Sequence, residues 1–141
     1  MLLLRSVPAW LLILCLAVAN GALREAVLIP ALGKSNALVL SGVLLSFLVA
    51  LVAYAFVRWS RGISPAQGLS VGAFWLLLTL VFEFGFGRLV QHKSWSELSD
   101  AYRFKDGNIW PVVLLVTLLA PCVAATVRSH ASARKGSAPH G

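Results

Sequence analysis

The sequence predicts an all-α integral membrane protein: a four-helix bundle with a short amphipathic surface helix between the third and fourth spans. Three observations carry this. Of 141 residues, 59% are hydrophobic and 12% charged, against roughly 45–50% and about 25% in soluble domains. The apolar residues gather into four runs, each close to the about 20 residues that cross a bilayer. The charges lie between these runs, except for Glu83 and, near the end of the same run, Arg88. The expected organisation is a single transmembrane domain, residues 1–127, with helices over about 7–24, 37–57, 68–90 and 109–127. A basic, Ser/Ala/Gly-rich tail, residues 128–141, is expected to be disordered.

The first run, Val7 to Leu23, follows Arg5. Ala17-Val18-Ala19 fits a small-x-small signal-peptidase site. Apolar character continues past Ala19, so the run reads as a retained helix rather than a cleaved leader. Asn20 and Arg24 are four apart at its end and share a face. Ala26 to Gly33, with Pro30, is too short to span and reads as an interfacial connection. Ser35 or Asn36 is the expected cap of the next helix.

The second run, Ala37 to Val57, has no charge. Gly42, Ser46 and Ala50 recur every four residues, a small-residue seam that admits another helix. Arg58, Arg61 and a short loop with Pro65 follow.

The third run, Gly68 to Val90, opens on a GxxxG pair, Gly68 and Gly72. Continuing that face gives Leu76, Thr79, Glu83 and Gly87. Glu83 therefore shares the packed face. It sits in the string Phe82-Glu83-Phe84-Gly85-Phe86-Gly87-Arg88. An ionisable group at membrane depth is costly and marks a partner, a proton or a task.

Ser94-Trp95-Ser96-Glu97 has the form of a capping box. Trp95, Leu98 and Tyr102 then fall on one side, which predicts a short helix lying at the membrane surface. Gly107-Asn108 breaks the segment, and Trp110-Pro111 suits the first turn of the fourth helix. Pro121 lies inside that helix and is expected to kink it.

The net charge of +7 comes from thinly spread Lys and Arg flanking apolar runs. That pattern reads as topology signals and contacts to lipid headgroups, not as a nucleic-acid surface. Lys and Arg divide six to six between the two sides of a four-helix arrangement. An even number of spans puts both termini together, and the basic tail places them in the cytoplasm. Cys15 and Cys122 lie in apolar runs without metal or redox spacing, and read as small buried side chains.

Arg24 and Glu25 end the first helix where Glu83 and Arg88 end the third. Glu83 and Arg88 are five apart and do not face each other on one helix. Cross-helix pairs, Arg24 with Glu83 and Glu25 with Arg88, are the expected buried ion-pair network. Asn20 and Asn108 are its supporting polar residues. The alternative is that Glu83 is a protonatable transport site or cation ligand. No nucleophile–His–acid set, metal spacing or phosphate loop occurs, so neither enzyme chemistry, metal nor cofactor is expected. His92, His130 and His140 read as solvated residues.

The strings NGALREAVLIPALG, FEFGFGR and the SW–EL–AY–GNIWP stretch resemble a group of short bacterial inner-membrane proteins with four predicted helices. The resemblance runs from about Ala19 to Pro121. It implies a bacterial inner membrane and a four-helix fold, and supplies no reaction and no ligand. The chain is also similar in size to small multidrug transporters. Those carry their carboxylate in the first helix, whereas Glu83 is in the third, so that function is not carried over. Two readings stay open. One is a structural or partner-binding protein in the lipid bilayer, with another membrane protein or a second copy as partner. The other is a small proton- or cation-coupled transporter using Glu83.

Overall fold

The computed structural model describes residues 1–100, 103 and 109–137. Every element among them is helical. The order is α1 (Leu2–Leu23), a π-helical turn (Arg24–Leu28), α2 (Ile29–Leu32), α3 (Lys34–Ser60), α4 (Pro65–Leu89), α5 (Trp95–Asp100) and α6 (Trp110–Gly136). Four helical stretches are long and apolar enough to cross a membrane: Leu2–Leu32, Lys34–Ser60, Pro65–Leu89 and Trp110–Gly136. At 1.5 Å per residue each exceeds the about 30 Å of hydrocarbon.

The first span is longer than the apolar run implied. Instead of stopping at an interfacial connection, the helix continues from Leu23 through a widened turn into α2. Within that turn the Ile29 N–H reaches back five residues to the Arg24 carbonyl. Pro30 explains the widening. A proline ring crowds the carbonyl four residues back and offers no N–H, and an inserted π turn relieves that strain. The chain then reverses at Gly33, whose φ of 83° and ψ of 161° suit glycine alone. Neither Ser35 nor Asn36 caps α3, because the helix already begins at Lys34 behind Gly33. Asn36 donates its amide to the Leu32 carbonyl instead.

α1 packs on α3 and α4, and α6 packs on α3 and α4. The spans therefore form a ring in the order α1–α3–α6–α4. Both ends of the described chain lie at one end of the ring, here the terminal end. Gly33, the end of α4 and the start of α6 lie at the other, the distal end.

The tightest seam is α4 on α6, and the GxxxG pair makes it. A Cβ on Gly68 would stand 2.6 Å from the Pro121 carbonyl oxygen. One on Gly72 would overlap the Leu118 carbonyl oxygen. Backbone thus rests on backbone, the small-residue mode of packing within membranes. α6 runs on through Pro121, which is fully buried in this seam. Beside it, Trp75 is fully buried and meets Phe56 edge-on, 5.7 Å between ring centroids. Its indole N–H donates to the Ser6 carbonyl of α1 at 3.3 Å.

On α3 the buried stripe is Ala37, Ser41, Leu45, Val49, Ala53 and Val57. The expected seam of Gly42, Ser46 and Ala50 lies one residue to the side: the first two are half-buried and Ala50 is exposed. Small size permits close approach but does not specify which stripe faces inward when a neighbouring stripe carries more apolar volume. Cys15 sits on the outer face of α1, and Cys122 is half-buried. The tail also differs from expectation, because α6 stays helical to Gly136.

The capping box before α5 forms as its spacing implies. Ser94 N–H donates to Glu97 Oε2 at 2.7 Å, and Glu97 N–H donates to Ser94 Oγ at 3.2 Å. A second box at Ser64 and Gln67 starts α4. α5 docks through Leu98, which is buried against Gly87. Trp95 stays 61% exposed, beside Phe84 and under the Arg88 guanidinium at 5.0 Å. Tyr102 lies outside the described residues.

Candidate functional site

The charged corner is not a buried network. Arg24 pairs with its own neighbour, Nε to Glu25 Oε1 at 3.3 Å, with side chains 31% and 67% exposed. Arg88 is exposed and donates to the Lys93 carbonyl at 3.0 Å. Glu83 is half-buried and accepts the indole N–H of Trp110 at 3.0 Å. Among the described residues the ion pairs are Arg24–Glu25 and Asp100–Arg103, so neither expected cross-helix pair forms. The reason is positional. Arg88 ends α4 at the polar distal end, where long side chains reach outward, while Arg24 and Glu25 lie within the π turn, short of the end of their span, and pair with each other. Asn108 lies outside the described residues.

Glu83 borders a different feature. A cavity of about 380 Å³ opens between all four spans in the distal half of the bundle. Trp10 and Thr79 line its deep end; Arg24, Glu83 and Lys93 frame its distal end. Trp10, Phe82 and Trp110 supply aromatic wall, and aliphatic side chains supply most of the rest. The volume falls in the roughly 300–1,000 Å³ of small-molecule sites, and the lining has their mixture of apolar wall and few polar groups.

The polar groups in this wall hold one another. Trp10 of α1 donates its indole N–H to Thr79 Oγ1 of α4 at 3.1 Å, and Thr79 passes its hydrogen to the Trp75 carbonyl at 2.8 Å. Thr117 donates to the Val113 carbonyl at 2.9 Å. Asn20, 5% exposed, donates both amide hydrogens to Ser41 of α3: 3.1 Å to the carbonyl and 2.8 Å to Oγ. Its Oδ1 is buried and accepts nothing. The two donated bonds fix the amide orientation, since a flip would set Oδ1 against a carbonyl oxygen. A buried acceptor without a donor costs about 1–3 kcal/mol, so this atom needs an explanation beyond packing.

Asn20 and Glu83, singled out by residue type, thus line one cavity, while Glu25 and Arg88 do not. Trp10, Ser41, Thr79, Trp110 and Thr117 were not singled out as site residues. Each is an ordinary residue of an apolar helix, and only the pairing of distant positions, such as 10 with 79, reveals its role. The signal that could have found them is depth: Asn20 and Ser41 fall at matching levels once α1 and α3 are taken as antiparallel neighbours.

Comparison with family models, with curated proteins and with solved structures finds no match for this chain. The four apolar spans mark a small multi-pass membrane protein, and the cavity lies between them.

Proposed function

We propose that this protein is a small non-enzymatic carrier of the bacterial inner membrane, with both termini cytoplasmic, that binds a small amphiphilic solute inside its bundle. The carrying observation is the four-span cavity, with a buried acceptor of Asn20 lacking a donor in its wall. Both cost the bundle stability, since unfilled space forfeits packing contacts and the orphan acceptor adds a further cost, and a bound solute offsets both. Glu83 is the coupling group of this reading. It stands at the distal mouth, half-buried, where a proton or cation can reach it. The resemblance to short inner-membrane proteins supports the location, and the basic residues in the last turns of α6, Arg128, Arg134 and Lys135, support the orientation.

The test is flux in liposomes holding an entrapped pH dye, under an imposed potassium potential, for wild type and Glu83→Gln. The reading expects proton entry by wild type. It expects a folded Glu83→Gln protein whose flux is lost. No flux from wild type, together with a misfolded variant, would return Glu83 to a structural role. A second reading has its own support: α5 presents exposed Trp95 beside Arg88, a surface suited to another membrane protein or a second copy. Trp95→Ala leaves flux intact under the carrier reading and breaks co-purification of a partner under this one.

A further inference from the structure

The chemistry of the cavity wall restricts what enters it. The inference rests on the reading of the cavity as a binding site, and goes on to name the ligand's polar group. Among the uncharged polar side chains there, nearly every donor is already committed within the protein. The Trp10 and Trp110 N–H groups, both Asn20 amide hydrogens and the Thr79 and Thr117 hydroxyl hydrogens have protein acceptors. Only the Ser41 hydroxyl hydrogen is uncommitted. What lacks a partner is a covered acceptor, Asn20 Oδ1. The charged donors, Arg24 and Lys93, stand at the distal rim.

We infer that the cavity takes a small amphiphile that turns a hydroxyl or N–H donor inward to Asn20 Oδ1. Its aromatic or aliphatic body lies against Trp10, Phe82 and Trp110, and any acidic group faces outward to Arg24 and Lys93. A ligand without an inward donor leaves the amide oxygen unsatisfied and binds by apolar contact alone. A ligand with only inward acceptors can use the Ser41 hydroxyl hydrogen alone and still leaves the amide oxygen unsatisfied, so it binds less tightly, as polar sites disfavour analogues that leave buried groups unpaired. The oxygen is covered in this arrangement, so a slight outward shift of α1 accompanies binding. α1 is suited to that shift, since it buries only Ser6, Ile13 and Asn20.

The experiment uses the full chain in lipid nanodiscs and follows tryptophan fluorescence. The probes are 2-phenylethanol and ethylbenzene, a pair that differs by one hydroxyl. Binding to empty nanodiscs is subtracted for each. A net hydrogen bond of about 0.5–1.5 kcal/mol makes the alcohol bind roughly two- to twelvefold more tightly than the hydrocarbon. In Asn20→Leu, a near-isosteric apolar replacement, that preference disappears while ethylbenzene still binds. Should Asn20→Leu fail to fold, Asn20→Ala supplies the test, because it also removes the amide oxygen: the preference disappears there too, and a preference that persists overturns the inference. Equal binding of the two probes by wild type overturns the inference and leaves the cavity reading standing. A preference that survives in Asn20→Leu also overturns it. If neither probe binds, the cavity reading falls and the inference with it.

Discussion

The α4–α6 seam and the attachment of α1 solve the same packing problem with different materials. On the α4–α6 side, Gly68 and Gly72 let backbone touch backbone, and α6 buries Val113, Leu114, Thr117, Pro121, Ala124 and Ala125. On the α1 side, three residues are buried, two of them polar. Hydrogen bonds hold that helix instead: Trp10 to Thr79, Asn20 to Ser41, and Trp75 to the Ser6 carbonyl. In a bilayer this difference is consequential. Lipid competes with apolar side chains for apolar contact, so close packing and polar bonds are what remain to join helices. A steric seam is stiff, since even a slight opening weakens many of its contacts at once. A few polar bonds can exchange partners with a ligand. The cavity lies on the α1 side of the rigid pair, which suits a wall that moves against a fixed one.

The comparison breaks most severely at Gly72. Gly72→Leu drives a side chain into the Leu118 carbonyl and separates α4 from α6. The expected loss is at or above the upper end of the about 1–3 kcal/mol usual for overpacking, read as a lower midpoint of helix loss in a detergent unfolding titration. Gly85→Leu, whose Cβ meets nothing within 4 Å, serves as the control and shifts the midpoint far less.

Asn20→Leu comes next. It removes two bonds to Ser41 but also removes the orphan oxygen. At about 0.6 kcal/mol per interhelical bond in a membrane, its net cost stays below about 1.2 kcal/mol in the same titration. A cost matching that of Gly72→Leu would show that α1 is as rigidly held as α6. Trp10→Phe keeps the ring and loses one bond to Thr79. Its expected cost is about 0.6 kcal/mol.

The smallest effect lies outside the membrane, at α5. Hydrogen bonding to the carboxyl from the Ser94 backbone N–H first, and then from the Ser94 side chain, holds Glu97 below its ordinary value of 4.5. A carboxyl lowered on folding stabilises the folded form above its ordinary value. That contribution fades as the pH falls below 4.5 and through the lowered value. Acidification therefore frays α5, seen as a change in Trp95 emission, while the spans stay intact. Ser94→Ala produces the same frayed state at neutral pH.

The spans were legible because hydropathy and length suffice to mark them. The capping box at Ser94, the GxxxG seam and the start of α6 at Trp110 were legible because each is a local pattern with a local cause. The continuation of the first span to Leu32 was hidden by Pro30, which usually ends a helix and here follows a π turn. The helix to Gly136 was hidden by composition. The Ala, Ser and Arg residues after Val127 resemble a loose tail, yet no proline or glycine falls between Arg128 and Lys135, and Arg134 and Lys135 favour a helix C-terminus. Glu83 and Asn20 stood out because polar groups in apolar runs are costly. Their setting did not, since residue spacing along one helix says nothing of what a second helix brings. The pairing of Arg24 with Glu83 rested on matching depth alone, whereas the Arg24 guanidinium lies near Gly21 and Glu25 on its own helix.

Hydrogen exchange of the nanodisc-embedded protein, read by mass spectrometry with and without saturating 2-phenylethanol, shows whether α1 is the movable wall of a binding cavity. The account predicts that peptides covering residues 17–32 exchange faster than those of α4 and α6. It also predicts that the alcohol slows them and leaves the α4–α6 seam unchanged. Equal protection of all four spans, unmoved by the alcohol, would contradict it.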